Sequence, residues 1–162
     1  MPLTVTTRGG TMREILAETK RAAKTELQAG MLYWYQEFLP KHFQVGVQER
    51  YGFKPRSLEL EIRKSKSGSR GRRGQDLVFS GEMERSLRSR IQIGGSSQRV
   101  WGKMPGPKHL FGRLDPSSRM PDMKAEITKT LPGEEDAVAR FVSARMAKRI
   151  AEIRGTHTTV YG

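Results

Sequence analysis

Three histidines, His42, His109 and His157, are the natural candidates for metal binding or proton transfer, and they stand far apart with no partner at ligand spacing. The chain contains no cysteine, which removes thiolate zinc sites, cysteine nucleophiles and disulfides. A metal site would have to be assembled from scattered residues, so neither a metal nor a cofactor is expected. The acids are no more promising. Glu59 and Glu61 would share one strand face, and Glu134, Glu135 and Asp136 sit where a helix begins, whereas a catalytic carboxylate pair needs two contrasting environments. Ser80-Gly81 lacks the flanking pattern of a nucleophile elbow because Val78 stands where the first glycine should be. Gly68, Gly71 and Gly74 lack the Gly-Lys-Ser/Thr ending of a phosphate-binding loop. No catalytic site is legible, and a non-enzymatic protein is the expectation.

Charge is the loudest signal. The formal net charge is +13, and residues 63–113 carry thirteen basic against three acidic side chains, so ten of the thirteen net charges fall in the middle third. Within it, residues 64–76 are polar, rich in Gly and Ser early on and cationic through Lys64, Lys66, Arg70, Arg72 and Arg73. Residues 64–74 have no apolar side chain to bury against the cost of ordering, and a mobile basic loop is predicted. Such a loop can neutralise phosphates and release counterions, or dock on an acidic protein surface. It has no aromatic residue on which a base could stack.

The elements that would carry these groups follow from periodicity. Ile15, Leu16, Ala23, Leu27, Met31, Tyr35 and Phe38 recur at helical steps between Thr11 and Leu39, Pro40 closes the run, and Thr11 with Glu14 has capping-box spacing. In Ser57–Arg63, Leu58, Leu60 and Ile62 alternate with charged residues as in a half-buried strand; a short helix is the alternative, because Leu and Glu are poor strand formers. Leu77-Val78-Phe79 reads as a short strand, and Ser80 as the cap of a helix reaching about Arg88. Arg88–Ile93 and Gln98–Met104 flank Gly94-Gly95-Ser96-Ser97 as a hairpin, with Ile91 and Ile93 on one face and Arg88, Arg90 and Gln92 on the other. Met104–Phe111 is stiffened by Pro105 and Pro107, and Ala125–Leu131 reads as a last strand. From Pro132 to about Arg154, Val138, Phe141, Val142, Met146, Ile150 and Ile153 form the apolar face of a C-terminal helix.

These pieces predict a single α+β domain over residues 1–162: a small antiparallel sheet with a hairpin, packed by a long N-terminal and a C-terminal helix. Residues 1–10 and 155–162 would be arms. Hydrophobic residues are 35% of the chain and aromatics 7%, a lean supply that favours ordering against neighbours. No apolar run has signal-peptide or membrane-span length, so synthesis in the cytoplasm and no membrane contact are expected.

The order of parts resembles a family of tailed-bacteriophage virion proteins of the neck, tail-completion and tail-terminator type. The resemblance spans about Phe53 to Ile153. It rests on the turn Leu77-Val78-Phe79-Ser80-Gly81-Glu82-Met83 with Ser86 and Leu87, on Pro105-Gly106-Pro107-Lys108-His109-Leu110-Phe111, and on Met120-Pro121-Asp122-Met123-Lys124-Ala125-Glu126-Ile127. It implies a structural subunit of a homo-oligomeric ring, a hexamer or dodecamer, at the head–tail junction or head-proximal tail end of the virion. Adjacent neck, connector or tail proteins would be its partners, with genomic DNA passing through. Ser80, Gly81, Pro105, Gly106, Pro107 and Asp122 would then shape the chain, while Lys64, Lys66, Arg70, Arg72, Arg73, Arg88 and Arg90 would face an adjoining ring or DNA. The alternative is a basic nucleic-acid-binding protein using the 64–73 loop and the 88–104 hairpin.

Overall fold

A computed structural model of the chain describes residues 11–53, 62, 82–89, 91–104 and 123–156. The predicted capping box is present: the Thr11 hydroxyl accepts from the Glu14 N–H at 3.3 Å and the Glu14 carboxylate accepts from the Thr11 N–H at 2.6 Å. Two otherwise orphaned donors are thereby satisfied, and helix α1 runs from there over Met12–Glu37. Its 26 residues span about 39 Å at ~1.5 Å each. Pro40 does not simply end it. It opens a 3-10 helix, Leu39–Phe43, because a missing N–H costs nothing in a first turn. Gly46 and Gly52, with φ of 80° and 63°, bracket the short helix α2, Val47–Tyr51, in left-handed conformations that favour glycine.

Helix α3 covers Glu82–Ser89, so Arg88 lies in a helix and not in the hairpin. The hairpin pairs β1, Gln92–Gly95, antiparallel with β2, Val100–Lys103, in the register Gln92 with Lys103 and Gly95 with Val100. Its turn lies two residues later than the glycines predict. Gly94 and Gly95 are strand residues, Gly94 directly beneath the Trp101 indole with no room for a Cβ. Ser96 makes the turn, its hydroxyl accepting from the N–H groups of Gln98 and Arg99 at 3.2 Å each.

The expected strand Ala125–Leu131 is instead helix α4, Met123–Ile127. Met, Lys, Ala and Glu are good helix formers, and the Thr128 N–H and hydroxyl both return to the Lys124 carbonyl, at 3.0 and 2.9 Å. The buried side chains are the adjacent Glu126 and Ile127, not alternate ones. Helix α5, Pro132–Thr156, begins at the predicted proline and continues two residues into the expected C-terminal arm. The 57–63 stretch is described only at Ile62, where the backbone is helical, the second of its two readings. Residues 1–10, the 64–76 loop, the Leu77–Phe79 strand and the Met104–Phe111 stretch beyond Met104 lie outside the described residues.

The architecture is α+β. Helices α1 and α5 pack antiparallel, with Gly30 against Val142 and Val138, and Tyr33 stacked on Phe141 at 4.4 Å. Gly30 lets the backbones approach because a Cβ there would collide with Val142. The core lies toward the C-terminal end of α1, where Tyr35, Leu39, Phe43, Val47, Tyr51 and Phe53 close on Leu87 and Ile127.

Candidate assembly surface

The polar residues most suggestive of chemistry meet inside that core. His42 and Tyr51 are buried, their rings 4.1 Å apart, with Phe53 beside both. The Tyr51 hydroxyl donates to Glu134 at 2.5 Å, while the other Glu134 oxygen accepts from the Leu131 N–H at 3.4 Å. Glu134 thus caps the start of α5, as the sequence suggests, and also ties that helix to α2. The His42 Nδ1 lies 3.2 Å from the Glu126 carbonyl, which can only accept, so Nδ1 carries the proton and Nε2 the lone pair. Among the described residues Nε2 has no hydrogen-bond partner, nor does the Trp34 indole N–H. Burial pushes the His42 pKa below its ordinary value, outweighing the Glu126 carbonyl and the Glu134 charge, and keeps the ring neutral. Burial and the Glu134 bond raise the Tyr51 phenol. This trio contains an acid, an imidazole and a phenol, closed from solvent with His42 0% and Tyr51 1% exposed. Its hydrogen bonds join the 3-10 helix to α4 and α2 to α5.

A second polar cluster fastens the long helices. Glu26, buried on α1, takes the guanidinium Nε of Arg145 and, at 3.3 Å, that of Arg149. Burial pushes its carboxyl up, and the two arginines more than offset this, holding it below the ordinary carboxylate range. Arg149 also binds Glu152 at 3.0 Å. Among the described residues no three His, Asp or Glu side chains are grouped to hold a metal ion, and no helix is long and apolar enough to cross a membrane.

Among the described residues two grooves are open to solvent, and one, between the start of α1 and the end of α5, is lined by charged side chains including Glu14, Glu18, Arg21 and Glu152. A cleft of about 660 Å³ opens between α1, α5 and the hairpin, walled by Leu27, Met31, Trp34, Ile91, Val100 and Val142, with Glu135 the one ionisable residue among its described lining residues. Gly30 and Gly102 also line it. A Cβ on Gly102 would press on Ile91 and Met31, at 3.3 and 3.4 Å. Separately, the first two turns of α1 expose Met12 (80%) and Leu16 (53%).

Of the residues singled out in the sequence, Arg88 is placed in α3, the helix predicted to reach it, and its inclusion in the hairpin is corrected. Lys64, Lys66, Arg70, Arg72, Arg73, Ser80, Gly81, Arg90, Pro105, Gly106, Pro107 and Asp122 lie outside the described residues. The clusters at Glu26 and His42 were not foreseen. The one sequence sign of the first is the Arg145 and Arg149 pair, four residues apart and so on one helix face, but nothing in the sequence names its partner. No family model, curated protein or solved structure matches the chain.

Proposed function

We propose that this chain is a structural virion protein of a tailed bacteriophage, assembling as a ring in the neck or at the head-proximal end of the tail. The reading begins with the sequence resemblance. The observation that carries it further is the presence, on one subunit, of two unlike apolar surfaces, an open cleft and a separate helix tip. A ring uses heterologous, head-to-tail contacts, which require different faces on each copy to match. The buried polar clusters join secondary-structure elements, and the reading assigns the chain no catalytic step. Native mass spectrometry and negative-stain imaging of the full chain are the test: closed particles of six or twelve copies with an axial hole are expected, and a strictly monomeric chain overturns the proposal. Antibody labelling of intact phage particles should mark the neck or the head-proximal tail end, and label confined to another part of the particle defeats that placement.

The central excess of positive charge favours a second reading, a nucleic-acid-binding protein. That reading expects a monomer whose DNA or RNA affinity falls linearly on a log–log plot against salt. A flat salt response removes it.

A further inference from the structure

We infer that the outward face of the hairpin is a stacking platform for single-stranded nucleic acid, with a base lying on Trp101 and phosphates held by Arg99 and Lys103. The inference rests on the second reading above, nucleic-acid binding, and names the site and the form of nucleic acid; it does not need the ring.

Alternation divides the hairpin into two unlike faces. Ile91, Val100, Gly102 and Met104 line the cleft. Directly opposed residues share a face, so Gln92 with Lys103 and Gly94 with Trp101 lie on the other one. Arg99 extends that register opposite Ser96, whose N–H donates to the Arg99 carbonyl at 2.7 Å. On this face Arg99, Trp101 and Lys103 are all exposed, the tryptophan by 52%.

The indole lies flat. A Cβ on Gly94 would meet Cζ2 first and, only slightly farther off, both carbons bonded to it, Cε2 and Cη2, at 2.7 and 2.8 Å. That is an approach along the ring normal, because an approach in the ring plane holds the bonded carbons well back. Gly94 therefore seats one face of the ring, and the other is turned to solvent. Among the described residues no second ring and no cation lies against the indole, and neither Arg99 nor Lys103 has an ion-pair partner. Residues 85–114 hold seven Lys or Arg and no Asp or Glu, and Glu135 lines the cleft on the hairpin's other face. An open aromatic face with a cation two residues away on either side is the combination that takes up unpaired bases together with their phosphates. A duplex keeps its base faces stacked on one another and can use only the cations, as can an acidic peptide.

Fluorescence anisotropy of labelled strands with the full chain tests the platform. Wild-type chain should bind oligothymidylate, and should bind an abasic strand of equal length, which keeps the phosphates and lacks the bases, more weakly. Trp101→Ala should weaken oligothymidylate binding by about five- to a hundredfold and leave the affinity for a duplex unchanged. Arg99→Gln and Lys103→Gln should each lower the slope of log affinity against log salt by about 0.7. Far-UV circular dichroism checks the fold of each variant; should Trp101→Ala lose it, the abasic comparison decides, since it uses wild-type chain. Equal affinity for the abasic strand, or a folded Trp101→Ala that binds oligothymidylate as wild type does, overturns the platform and leaves nucleic-acid binding standing. Failure to bind any strand or duplex at low salt overturns both. Polyglutamate bound as tightly as oligothymidylate assigns the face to an acidic protein and overturns the platform.

Discussion

The two ends of the α1–α5 pair are built on different principles. Where α1 passes into the 3-10 helix and α2, aromatic rings and aliphatic side chains from five segments are sealed around His42, and Glu134 and the Glu126 carbonyl meet the polar atoms of Tyr51 and His42. At the opposite end, the start of α1 runs beside the end of α5, Ile153 is buried, and Met12 and Leu16 face solvent. Glu26 and its arginines lie between. Cohesion of the single chain is therefore concentrated at one end, and the opposite end leaves the apolar side chains of Met12 and Leu16 uncovered.

Substitutions should expose this polarity. Leu39→Ala, at a position with 0% exposure, is expected to cost about 2–5 kcal/mol, read as a lowered midpoint in urea unfolding. A loss under about 1 kcal/mol would mean that the aromatic end is not the stabilising one. Glu26→Ala should cost less, about 1–2 kcal/mol, because Arg145 and Arg149 are half exposed and can return to water. Acidification tests both places at once. Unfolded His42 takes up a proton near its ordinary value of 6.5 while the folded ring resists, so the unfolded state binds more protons and stability falls as pH drops through that range. Glu26, lowered in the fold from 4.5, adds a second decline below that value. Urea midpoints followed from neutral pH to about pH 4 should show both declines, and His42→Phe should flatten the first. The smallest effect belongs to the tip: Leu16→Ala should alter the stability of the separated chain by no more than about 0.5 kcal/mol, and a larger loss by calorimetry would place Leu16 in the fold's own core.

Much of the helical frame was legible in the sequence because its signals are local. Thr11 with Glu14, the apolar spacing to Tyr35, and Pro132 followed by acids each act within a turn or two of their own position. The hairpin was legible in existence but not in its turn, since the fit of Gly94 under Trp101 depends on a residue from the other strand. The last strand was misread because apolar alternation over Ala125–Leu131 competed with good local helix formers, and packing of Ile127 beside Glu126 decided it. The cleft and the clusters at His42 and Glu26 join residues more than 80 positions apart, beyond the reach of any local spacing. The basic loop rests on its charge and its lack of apolar side chains, and its residues lie outside those described.

The pairing of Trp34 with His42 equips the protein with an internal optical label. The chain has two tryptophans, Trp34 edge-on to the histidine ring at 6.0 Å and Trp101 out on the hairpin. Exchanging Trp101 for phenylalanine would leave a single emitter whose brightness and colour follow the state of the imidazole beside it, so the interior of one subunit could be watched while copies gather around it.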